Sequence, residues 1–82
     1  MSGILKITGN TNKDDIEKAF SEAGFPNDHE LIGWRVEDLI NYLDRGEYKE
    51  EGLTIDVPML VEKVKTRLTH CTIRETVLDQ FS

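Results

Sequence analysis

The chain predicts a mainly α-helical small domain of three to four helices with a short N-terminal β-strand. Three observations predict it. Apolar residues recur at helical spacing in three separate windows, candidate capping residues precede the helical segments, and only residues 3–9 and 53–55 carry short apolar runs suited to strands. At 82 residues, one domain spanning 1–82 is expected. Such a domain buries only about 60–65% of the surface its unfolded chain exposes.

The first element is GILKITG (3–9), glycine-bounded, with Ile4, Leu5 and Ile7 at spacings a short strand can use. A polar turn, NTNKDD, follows. In the next segment Ile16, Ala19, Phe20 and Ala23 fall at i, i+3, i+4, i+7, which predicts a helix over 13–23. Asn12 or Thr11 can cap its free amides, and Asp14 and Asp15 sit at the positive end of its dipole. Gly24 offers a left-handed residue just past the end, Phe25 can fold back onto the last turn, and Pro26 bars continuation.

NDHELIGW reads as a short helical turn because Asn27 and Glu30 have capping-box spacing, with Gly33 bending or ending it. Val36, Leu39, Ile40 and Leu43 then predict a second helix over 35–45, stopped at Gly46. EYKEEG reads as an exposed charged loop, and LTI (53–55) as a second strand able to pair with the first. Asp56 followed by Pro58 opens a third helix whose stripe is Val57, Leu60, Val61, Val64 and Leu68. The stripe changes register at THCT, where Thr72 and Glu75 match a capping box, so a break or a kink is expected there rather than the middle of one straight helix. Ile16, Phe20, Leu39, Ile40, Leu60 and Val64 are the expected core.

Composition narrows the function classes. No apolar run approaches the roughly 20 residues of a membrane span, which argues against a membrane partner and for the cytoplasm. One cysteine forms no internal disulfide and agrees with a reducing compartment. The net charge of −6 is uneven: residues 1–56 hold 6 Lys/Arg against 13 Asp/Glu, and residues 57–82 hold 4 against 3. The acidic part suits a basic partner and makes direct nucleic-acid binding unfavourable.

Complete chemical motifs are missing. His70 and Cys71 are neighbours, which on a helix point about 100° apart and cannot meet as base and nucleophile. His29, His70 and Cys71 lack the companions a zinc site needs. NTNKDD alternates Asn10, Asn12 and Asp14 like a calcium loop, but position six is Asp15 rather than glycine and position twelve is Ser21 rather than glutamate. Neither GxGxxG nor GxxxxGK[ST] occurs. No cofactor and no catalytic residue is expected.

Residues 4–25, ILKITGNTNKDDIEKAFSEAGF, are similar to the first strand and helix of an RNA-recognition motif, over about a quarter of the chain. That family stacks bases on strand aromatics. Here the strand has none and the later aromatic, basic strand is replaced by helical patterns, so the resemblance is local and names no family. A strand followed by two helices is also similar to ribbon-helix-helix repressors, but the strand offers only Lys6 to DNA. The one basic stripe, Lys63, Arg67, His70 and Arg74, requires a continuous third helix; it could hold a nucleic acid or an acidic partner, but pairing with the chain's own acidic half, or plain solvation, is the expected reading.

One constellation remains: Trp34, with Tyr42 and Tyr48 flanking an acidic stretch that includes Glu37, Asp38, Glu47, Glu50 and Glu51. Tryptophan is enriched in binding hot spots, and a charged rim would steer a partner. The expected function is a non-enzymatic protein-binding module, an adaptor, regulator or inhibitor that meets a basic protein surface. The alternatives are a nucleic-acid mimic that inhibits a DNA- or RNA-binding protein, and a small structural subunit of a larger complex.

Overall fold

A computed structural model of the chain describes residues 3–26 and 30–81. Four α-helices carry the domain: α1 (Lys13–Glu22), α2 (Val36–Asp44), α3 (Val57–Arg67) and α4 (Thr72–Phe81), with a 3-10 helix at Glu47–Glu51. α3 packs between α1 and α4, while α2 packs on α4 and on the 3-10 helix.

The helix ends follow from local chemistry. Asn12 Oδ1 accepts from Asp15 N–H at 2.9 Å, and Asp56 Oδ1 accepts from Met59 N–H at 3.1 Å, with Pro58 inside the first turn of α3. α1 closes in a Schellman motif: Phe25 N–H donates to Phe20 O at 2.9 Å, and Gly24 N–H donates to Ser21 O at 3.0 Å. Gly24 has φ +101°, and the Phe20 and Phe25 rings meet edge to face at 5.3 Å.

Among the described residues no strand forms. Ile4 makes one isolated antiparallel bridge, to Arg35. Leu5 N–H donates to Trp34 O, and Gly33 and Val36 N–H donate to Leu5 and Gly3 O, so residues 3–5 pair with 33–36 rather than with 53–55. Residues 53–55 instead run past the end of α1: Asp56 N–H donates to Ala23 O at 2.9 Å, and Thr54 O lies against Gly24.

Two further expectations need correction. EYKEEG is a 3-10 helix, because Gly46 and Gly52 take left-handed φ values of 71° and 78° at its two ends and Tyr48 turns into the core. Of NDHELIGW, the described residues 30–34 hold no helical turn. Residues 31–34 form a reverse turn closed by Trp34 N–H to Leu31 O at 3.0 Å, with Gly33 at φ +102° in the third position that type II turns reserve for glycine. Asn27 and the rest of 27–29, including His29, lie outside the described residues.

The chain breaks at THCT as its register predicts, but Cys71 rather than Thr72 caps α4. Arg74 N–H points at Cys71 Sγ at 3.4 Å and Glu75 N–H donates to Cys71 O, which makes Thr72 the first helical residue. The break is held from across the sequence. Thr8 Oγ1 donates to His70 O, Thr11 Oγ1 donates to Thr69 O, and Thr69 N–H returns a bond to Thr11 Oγ1 at 2.7 Å. His70 sits at φ +46° against Gly9.

Ile16, Phe20, Leu39, Leu60 and Val64 are buried in one core with Leu5, Leu68, Cys71, Ile73 and Val77. Ile40, expected with them, is only partly buried and faces a groove between α2 and α4. No helix among the described residues is long and apolar enough to cross a membrane.

Candidate functional site

Trp34 is held by its backbone. Its carbonyl accepts from Leu5 N–H at 2.8 Å and its amide closes the turn before α2. The ring is half-buried and packs on Tyr42 at 5.6 Å, nearly perpendicular, and on Phe25 at 6.2 Å. Tyr42 continues the aromatic row to Phe25 at 5.2 Å and Tyr48 at 6.0 Å. Only the tip of Tyr42 is polar, and its hydroxyl donates to Glu51 Oε2 at 2.8 Å.

That bond joins α2 to the 3-10 helix and shapes what lies between them. Trp34, Asp38, Tyr42, Glu47 and Glu51 line a shallow cavity of about 310 Å³. Asp38 and Tyr42 stand one turn apart on one flank of α2. Asp38 and Glu47 form no ion pair among the described residues. An aromatic wall beside several carboxylates favours a cation, through the ring quadrupole and through the field of the charges.

Five of the eight residues singled out in the sequence therefore meet: Trp34, Asp38, Tyr42, Glu47 and Glu51. Three do not line the cavity. Glu37 is on the exposed crest of α2, Glu50 is exposed on the 3-10 helix, and Tyr48 is a core residue. Tyr42 is also 6% exposed, so both tyrosines support the surface from beneath. The Tyr42–Glu51 bond escaped the sequence reading. Its signal was the pair of glycines at 46 and 52, which turn a charged run back toward α2.

The basic stripe is divided by the break after α3. Arg67 binds Glu22 through two nitrogens, at 2.6 and 3.2 Å, and Lys63 reaches the same carboxylate at 3.2 Å. The Lys63 hydrogen bond holds the Glu22 carboxyl below its ordinary value against the opposing effect of desolvation, with Arg67 adding to the lowering. His70 stands off the helix and Arg74 belongs to α4, so the four do not share a face.

Cys71 is fully buried while His70 is exposed, which separates the one candidate nucleophile from its neighbouring base. No group of three or more potential metal ligands exists among the described residues. Cys71 will label slowly with a thiol reagent in the native protein and rapidly in denaturant, and Cys71→Ala will remain folded. Stoichiometric labelling of the native protein within seconds near pH 6 would give the thiol a chemical role instead. Comparison with protein-family models, with curated proteins and with solved structures finds no match to this chain.

Proposed function

We propose that this protein is a non-enzymatic binding module, an adaptor, regulator or inhibitor, that engages a basic protein surface in the cytoplasm through Trp34 and the carboxylates around it. The observation that carries the reading is the convergence of Asp38, Glu47 and Glu51, from two separate elements, on a cavity walled by Trp34 and Tyr42. The charge excess of residues 1–56 adds a field that draws a basic partner from a distance. Glu37 and Glu50 extend that field, and Tyr48 braces the floor through Tyr42.

Affinity capture from the native host, compared by quantitative mass spectrometry between wild type and variants, tests this reading. The partner should be lost with Trp34→Ala and depleted with Glu47→Lys/Glu50→Lys/Glu51→Lys. In binding kinetics the charge reversals should mainly slow association. The tryptophan variant should raise dissociation about 30-fold or more, the equivalent of a hot spot of about 2 kcal/mol. Competition by added DNA or RNA would replace this reading with nucleic-acid mimicry. Full retention of the partner by a folded Trp34→Ala variant and by the charge-reversed variant would dismiss this face.

A further inference from the structure

We infer that the groove between α2 and α4 is a docking site for a basic amphipathic helix of a partner protein, on the flank of α2 away from the Trp34 cavity. Helical periodicity places Val36, Leu39, Ile40 and Leu43 on one apolar face, yet packing divides them. Leu39 and Leu43 are buried, while Val36 and Ile40 remain partly exposed. These two face α4 across a cavity of about 370 Å³ whose other side carries Thr72, Glu75, Thr76 and Asp79.

Three properties of the groove select its occupant. Its walls are helices that pack on one another, and a third helix seats between two such walls by setting its side-chain ridges into their grooves. Thr72 and Thr76, one turn apart, are short enough to permit close approach. Glu75 and Asp79, also one turn apart, form no ion pair among the described residues. A helix with Lys or Arg at i and i+4 repeats their spacing of roughly 5–6 Å. The occupant thus needs an apolar stripe for Val36 and Ile40, with two cations one turn apart beside it.

The test uses a fluorescein-labelled helical peptide of that pattern, with Leu along one stripe and paired Arg flanking it. Its controls are a scrambled peptide of the same composition and one with Arg changed to Glu. Fluorescence polarisation at physiological salt should give a micromolar Kd for the patterned peptide alone, and amide shift changes should centre on Val36, Ile40, Thr76 and Asp79. Glu75→Lys/Asp79→Lys and Ile40→Ser should each weaken binding at least 10-fold, whereas Trp34→Ala should leave it unchanged. The inference is overturned by absent binding, by equal binding of the scrambled peptide, or by shifts centred on Trp34 and Glu47. Sedimentation as a dimer without peptide, dispersed by Ile40→Ser, would also overturn it by giving the groove to a second copy.

Discussion

Replacing Phe20 with alanine will lower the free energy of unfolding by about 3–5 kcal/mol, the usual range for truncating a buried aromatic. Phe20 is 2% exposed in the core, packed on Phe25, and its carbonyl also receives the closing bond of the Schellman motif. Truncation removes its edge-to-face contact with Phe25 and leaves a cavity where α1 turns. Small domains hold about 5–15 kcal/mol in total, so the loss is a large share of the stability of this one. Urea unfolding followed by far-ultraviolet circular dichroism measures the loss. A change below about 1 kcal/mol would mean that this end of α1 repacks freely.

The second large effect belongs to a glycine. A Cβ at Gly24 would stand 2.4 Å from Thr54 O, where the obstacle is backbone and has no rotamer to escape into. Gly24→Ala combines that collision with a positive φ, and the expected cost is about 2–5 kcal/mol. Gly33 supplies the control. It has nearly the same φ, +102°, but a methyl added there would meet no atom within 4 Å, so Gly33→Ala should lose only the conformational part, about 1–2 kcal/mol. Paired denaturation curves separate the two contributions. Equal losses would show that the approach of residues 53–55 to α1 contributes nothing to stability.

The helices were legible because their information is local. The α1 stripe, the Asn12 and Asp56 caps and the Gly24–Phe25 stop all act within a few residues, and each appears where the spacing puts it. Pairing of the N-terminal segment was not legible. Apolar spacing shows that Leu5 can be buried, but the choice of 33–36 over 53–55 depends on a turn at Gly33 and on where α1 ends. Glu47–Glu51 carries one apolar residue, Tyr48, too few to display a period, so its 3-10 turn was hidden under charge. At α4 the spacing favoured Thr72 as the cap, whereas burial of Cys71 moved the start by one residue. The candidate site was legible as a list of carboxylates around a tryptophan. Its division into a cavity, a crest and a buried support was not, because that depends on which flank of α2 meets the 3-10 helix.

The threonine bonds between residues 8–11 and 69–70 have a kinetic meaning. Thr11 and Thr69 are 58 positions apart, and closing a loop of that length costs roughly 3–4 kcal/mol of chain entropy. Because the intervening helices must draw the two segments together to meet that cost, the contact is expected on the native side of the folding barrier. Thr11→Val should raise the unfolding rate more than it lowers the folding rate. The contact's strength therefore sets how long the folded molecule survives between openings more than how fast it forms. The seam works as a latch on the finished domain, with the break between α3 and α4 as its catch.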